Sequence, residues 1–86
     1  MVTLMSHFAC ADETANPKTR LQIQRFDESI QGLNAEHSLA NSAGILNFPQ
    51  SHRNLVRPGI LLYGISPEPG QPASEIGLKP AMTLRC

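Results

Sequence analysis

The chain has 86 residues, with seven Lys or Arg balancing seven Asp or Glu and two cysteines. That length supports one small domain, which buries only a modest share of its surface. The even charge and lack of a basic patch exclude a nucleic-acid footprint, the longest apolar run (residues 59–65) is too short to span a bilayer, and two cysteines are too few for a disulfide framework.

Residues 2–8, Val-Thr-Leu-Met-Ser-His-Phe, read as a strand buried on both faces, as in a parallel sheet. Residues 10–15 carry Asp12 and Glu13 and read as a loop. His7 and Cys10 form an H-x-x-C pair, but no second pair completes a metal site. Asn16-Pro17 marks a helix start, with Asn as cap and Pro at the first helical position. Leu21, Ile23, Phe26, Ile30 and Leu33 follow at roughly helical spacing, with a break at Leu21-Ile23, and Gly32 ends the helix. Residues 37–43 read as a second strand. A short helical turn through Leu46 follows, closed by Phe48-Pro49, because the residue before a proline avoids helical backbone. Residues 55–57 read as a very short third strand. Pro67, Pro69, Gly70 and Pro72 mark a linker over residues 66–77, and residues 78–84 read as a further strand.

Strands alternating with helices predict parallel β/α units. Three such strands cannot close a barrel and would leave open edges, so the expectation is part of a larger α/β protein. No charged segment precedes an apolar one at the N-terminus, so no signal peptide is visible. Free thiols point to a reducing, cytoplasmic compartment.

Polar residues gather at the predicted C-terminal strand ends: His7 on the first, Asn41 and Ser42 on the second, Arg57 on the third. Sites form at that edge of parallel β/α folds. Each residue also has an ordinary reading. A lone histidine is more often a structural hydrogen-bonding group, and Ser42 suits a helix cap. Asn41-Ser42-Ala43-Gly44 lacks the first glycine of a nucleophile elbow. Arg57 is harder to set aside, because a guanidinium in apolar surroundings needs partners or an anion. Val56-Arg57-Pro58-Gly59-Ile60 then places a permanent cation beside a glycine turn whose backbone N–H groups can approach a ligand closely. Those parts suit a phosphate-bearing cofactor.

Four segments together resemble the alanine racemase family: Met5-Ser6-His7-Phe8-Ala9 with Ala11-Asp12-Glu13, Ser38-Leu39-Ala40-Asn41-Ser42-Ala43-Gly44, Val56 through Gly64 with Ile65-Ser66-Pro67, and Leu78-Lys79-Pro80-Ala81-Met82-Thr83-Leu84. The resemblance runs nearly the whole chain, in order. It implies an α/β fold: the C-terminal portion of a pyridoxal-phosphate-dependent (fold type III) β/α TIM barrel leading into a mostly β domain. Residues 1–65 would be a partial barrel domain, 66–77 a linker and 78–86 the first strand of the next domain, truncated. A full barrel takes about 250 residues.

The resemblance also implies interconversion of L- and D-alanine with pyridoxal 5'-phosphate, as a cytoplasmic homodimer supplying peptidoglycan precursors, with neither nucleic-acid nor membrane partners. Ser42 and the backbone N–H groups of Gly59 and Ile60 would bind the cofactor phosphate. Arg57 would face its pyridine nitrogen, and His7 would hold the orientation of Arg57. Arginine keeps its proton near neutral pH, so the ring nitrogen would stay unprotonated and transamination would be limited. The family's cofactor-bonding lysine and catalytic tyrosine fall outside this chain, and Tyr63 belongs to a different motif, so the 86 residues alone would be inactive. Asn54-Leu55 departs from an Asp-Trp pair common in the family. The alternatives are a non-catalytic pyridoxal-phosphate-binding barrel protein, or a related amino-acid racemase or decarboxylase.

Overall fold

The computed structural model describes residues 2–83 and Arg85. Two strands, β1 (Thr3–Met5) and β2 (Glu36–Ser38), pair in parallel with Thr3 opposite Glu36, Leu4 opposite His37 and Met5 opposite Ser38. A parallel pair needs a long crossover, and the helix α1 (Lys18–Ser29) supplies it. The expected βα unit is present, with strands shorter than the apolar runs that predicted them.

The start of α1 falls one residue later than expected: Pro17 is its cap, its carbonyl accepting the Leu21 N–H at 3.0 Å, and Asn16 sits just outside, its Oδ1 accepting the Lys18 N–H at 3.0 Å. The helix ends at Ile30, and Gly32 takes a left-handed turn at φ 81°. The buried stripe is not the one the apolar pattern suggested. Thr19 and Ile23 are buried with Phe26 packed beside them, whereas Leu21 and Leu33 face out. Residues 19, 23 and 26 fall on one face at i, i+4 and i+7; Leu21 cannot join them.

A second helix, α2 (Ser42–Asn47), begins earlier than expected because Asn41, not Ser42, is its cap: Asn41 Oδ1 accepts the Gly44 N–H at 3.0 Å. Phe48 and Pro49 close it, and a 3-10 turn follows at Pro49–Ser51. The core is Phe8, Ala11, Ile23, Leu39, Ala43 and Phe48. Gly44 matters to it: a Cβ there would lie 3.0 Å from two atoms of the Phe8 ring. Glycine therefore lets α2 lie directly on Phe8, which fixes the end of β1 against the start of α2.

The third strand is reduced to one parallel bridge between Ser38 and Leu55. Asn54 Oδ1 takes the His37 N–H at 2.8 Å, occupying a donor that a longer ladder would use. Arg57 N–H reaches the Ala40 carbonyl at 2.8 Å, and Pro58 then has no N–H to continue. The expected strand over residues 78–84 is also absent: residues 78–83 form no ladder, and Leu84 lies outside the described residues. Pro80 lacks a donor, and the segment's hydrogen bonds to the preceding part include the Leu78 N–H to the Ala73 carbonyl at 3.0 Å and the Ala81 N–H to the Tyr63 carbonyl at 3.2 Å.

Arg53 sits at φ 45°, a left-handed position that costs a non-glycine residue about 1–2 kcal/mol. A two-pronged ion pair holds it: Nη1 and Nη2 each lie 2.9 Å from an Asp27 carboxylate oxygen. That hydrogen bonding, opposed by partial desolvation, holds the Asp27 carboxyl below its usual range. A depressed carboxylate adds stability that is complete above its unfolded pKa, about 3.9, and is lost as pH falls through the lower folded value. Asp27 is largely solvated, so the pair contributes at most about 1 kcal/mol. Asp27→Asn is expected to lower the denaturant midpoint at pH 7 by that amount and to differ progressively less from the parent towards pH 3. A pH-independent difference would show that the charge is not responsible.

Candidate functional site

The end of β1, the start of α2 and the segment after the Ser38–Leu55 bridge converge on one open pocket of about 350 Å³. His7, Asp12, Asn41, Ser42, Arg57 and Gly59 line it, with Ala43, Ile60 and Pro67. All five residues expected to contact a cofactor, His7, Ser42, Arg57, Gly59 and Ile60, are brought together there.

Arg57 is the most constrained of them. Its Nη1 donates to the Ser38 carbonyl at 2.9 Å and to the Ser38 hydroxyl. Its Nη2 donates to the Ser6 carbonyl at 2.6 Å and, at 3.5 Å, to that of Leu39. A guanidinium has five N–H donors. The Nη groups account for four, and Nε–H has no acceptor among the described residues. Arg57 thus ties together the ends of β1 and β2 and keeps one donor for a ligand.

His7 departs from expectation. It shares the pocket, but its ring is not a partner of Arg57; Ser6, Ser38 and Leu39 hold the guanidinium instead. The physical reason is proximity of backbone: carbonyls where the short strands end are strong acceptors already in place. The His7 contribution to local order is its own carbonyl, which accepts from Gln22 Nε2 at 3.2 Å.

Ser42 is buried, and its Oγ accepts the Leu61 N–H at 3.3 Å. That bond uses a lone pair and leaves the hydroxyl proton for an acceptor in the pocket. A 3-10 turn, Ile60–Tyr63, opens beside it. A Cβ on Gly59 would stand 3.9 Å from Ser42 Oγ, in the space between the two residues. Glycine keeps that space clear. The Ile60 N–H has no acceptor among the described residues. The Gly59 N–H, by contrast, donates to the Arg57 carbonyl at 2.9 Å, so it is not the free donor the glycine turn suggested.

Sequence reasoning missed three participants. Ser38 anchors Arg57; a serine within the expected second strand was the available signal. Asp12 and Pro67 line the pocket from loops whose residues carry no periodic pattern. Asn41, which the sequence had already placed at this edge, contributes as a cap, orienting Ser42 by fixing the first turn of α2.

Comparison with known proteins gives a consistent picture. Residues 1–67 match the family described as alanine racemase, N-terminal domain. The chain is 50% identical over 86 residues to the alanine racemase of Edwardsiella ictaluri, covering 98% of this chain and 24% of that protein. The crystal structure of biosynthetic alanine racemase from Pseudomonas aeruginosa superposes with a TM-score of 0.83 at 46% identity, over 92% of this chain and 22% of that one. Alanine racemase from Bartonella henselae, solved with covalently bound pyridoxal phosphate, superposes with a TM-score of 0.70 at 33% identity, over 76% and 18% respectively. The chain spans about a quarter of the length of the curated relatives it matches.

Proposed function

The chain belongs to the alanine racemase family through that family's N-terminal domain, and from this premise we propose that it works as part of a pyridoxal-phosphate-dependent enzyme interconverting L- and D-alanine. The observation that carries this reading is the joint placement of Ser42, Gly59, Ile60 and Arg57 on one pocket. Within the N-terminal domain we assign these residues to its last β/α units, with 66–77 as a linker and 78–86 as the entry to a following β domain. Motif order supports that assignment, as does the exposure of apolar side chains: Val2, Met5 and Leu62 are each more than 60% exposed, as expected of surfaces that a larger barrel covers. A cytoplasmic homodimer is the assembly we propose.

The residues present fit the cofactor. Two donors, Arg57 Nε–H and Ile60 N–H, lack protein acceptors among the described residues, Ser42 keeps a hydroxyl proton, and Gly59 leaves the room that a side chain would reduce. When bound, the cofactor supplies a ring that withdraws electron density from the substrate Cα. Ser42 Oγ and the Ile60 N–H would donate to the phosphate, and the Gly59 N–H would join them by sharing its bond with Arg57. Arg57 would donate to the pyridine nitrogen. Being a donor that does not release its proton near neutral pH, it would leave that nitrogen unprotonated, which would favour proton return to Cα over transamination. By the family resemblance, the bases that would remove and return the Cα proton are a lysine and a tyrosine that none of the motifs in these 86 residues carries.

The test is racemisation by the full-length protein carrying this segment, loaded with pyridoxal phosphate and offered L-alanine and other amino acids. D-alanine formation is expected. Pyridoxal phosphate binding without turnover of any amino acid would favour the non-catalytic reading, and turnover of another amino acid alone would favour a related racemase or decarboxylase. Ser42→Ala is expected to weaken cofactor binding about tenfold, the scale of one hydrogen bond to a charged group. Absorbance titration with pyridoxal phosphate measures it, and an unchanged affinity would remove Ser42 from the phosphate site.

A further inference from the structure

Ser42, the first residue of α2, lies in the pocket, and Asn47, the last, does not line it. Yet Asn47 has long-range partners on two other segments. Its Nδ2 donates to the Ala11 carbonyl at 3.1 Å and to Glu68 Oε1 at 2.6 Å. An amide nitrogen has two protons, and both are spent here on residues far away in sequence. Each partner adjoins a residue of the pocket wall: Ala11 precedes Asp12, and Glu68 follows Pro67. Glu68 is itself fixed, its N–H donating to Ser66 Oγ at 3.1 Å. A surface asparagine at a helix end ordinarily hydrogen-bonds to water. This one joins the loop of Asp12 and the segment of Pro67 to the helix that bears Ser42.

We propose that Asn47 is a positioning residue that sets the walls of the cofactor pocket, holding Asp12 and Pro67 at a fixed distance from Ser42 through Ala11 and Glu68. This rests on the cofactor reading above. About one and a half turns of helix separate residues 42 and 47, so α2 acts as a short bar: one end contacts the phosphate site, and the other holds the two segments that flank it. The Glu68 bond is the stronger of the two, because its acceptor is ionised.

The test uses the full-length protein carrying this segment, with pyridoxal phosphate as the probe and melting of the cofactor-free protein as a second measurement. Asn47→Asp sets a carboxylate against Glu68 and against the Ala11 carbonyl, and is expected to weaken pyridoxal phosphate binding about tenfold. Adding Glu68→Lys restores attraction across the pair, and affinity is expected to return to within about threefold of the parent. Glu68→Ala alone, which leaves the Ala11 bond intact, is expected to cost about threefold and serves if the aspartate variant does not fold. Unchanged affinity in Glu68→Ala and Asn47→Asp overturns the proposal. So does a loss that Glu68→Lys fails to recover, since that would be general damage. If the parent itself does not bind pyridoxal phosphate, the cofactor reading fails first, and this proposal falls with it.

Discussion

Arg57→Ala is expected to produce the largest loss of any single substitution in the pocket. The side chain donates to three backbone carbonyls and one hydroxyl, at Ser6, Ser38 and Leu39. Alanine leaves the Ser6 and Leu39 carbonyls and the Ser38 hydroxyl without that donor, while the Ser38 carbonyl keeps the Ser6 N–H at 3.2 Å. Each unsatisfied group costs about 1–3 kcal/mol where water is excluded; with Arg57 and Ser6 partly solvated and Ser38 and Leu39 buried, about 3 kcal/mol in all is the expected destabilisation. Cofactor binding should fall with it, because the free Nε–H is lost as well. Lysine is not an adequate replacement: a point charge cannot reach Ser6 and Ser38 together as the planar fork does. Arg57→Lys should therefore recover less than half of the stability. A denaturant midpoint for Arg57→Ala within about 0.5 kcal/mol of the parent, the range of an ordinary surface change, would refute the anchoring role. Glutamate at this position, the natural choice for protonating the ring nitrogen, would face the same oxygens with negative charge. Its first effect should be on folding, ahead of any change in reaction outcome.

Gly64→Ala is expected to detach the segment that follows the linker. Gly64 is buried at φ 77°, and a Cβ there would lie 2.0 Å from the Lys79 carbonyl oxygen and 2.4 Å from its carbon. Those are backbone atoms, so no side-chain rotation relieves the clash. The left-handed backbone alone costs alanine about 1–2 kcal/mol. The contact at risk includes the Ala81 N–H to the Tyr63 carbonyl. Faster hydrogen exchange at Ala81 and earlier proteolytic cleavage in residues 78–83 are the expected signs, with the core around Phe8 and Phe48 unaffected. Unaltered exchange at Ala81 would show that the segment does not rest on Gly64. Gly77→Ala is the useful control: its φ is the same, yet a Cβ there meets nothing within 4 Å.

The parts of the fold that were legible in the sequence are those set by local chemistry. Asn16 and Pro17 announced α1, Phe48-Pro49 announced the end of α2, and alternation of apolar runs with a helix announced a parallel pair. The third strand was not legible, because its length depends on a competition the residues do not display: Asn54 gives its side chain to His37, and Pro58 has no donor. The buried face of α1 was misread because Thr19 is wholly buried, while Leu21, the more apolar residue, faces outwards.

The site followed the same division. Residue types at strand ends collected His7, Ser42 and Arg57, and the glycine turn added Gly59 and Ile60. What orients Arg57 is mostly main chain, at Ser6, Ser38 and Leu39, and a carbonyl oxygen belongs to every residue, so no sequence signal marks the ones that matter. The assignment of that task to His7 failed for this reason. Asp12 and Pro67 entered the pocket through loops whose course depends on Asn47, a residue with no motif of its own.

The web of bonds around Arg57 also bears on the entropy of ligand capture. Freezing a long, rotamer-rich side chain at the moment of association costs about 0.5–1.5 kcal/mol. Here the guanidinium is already fixed by the strand ends, with its remaining N–H left over rather than searching. The loss of freedom has been taken during folding, so an incoming ring would meet a donor whose direction is already chosen.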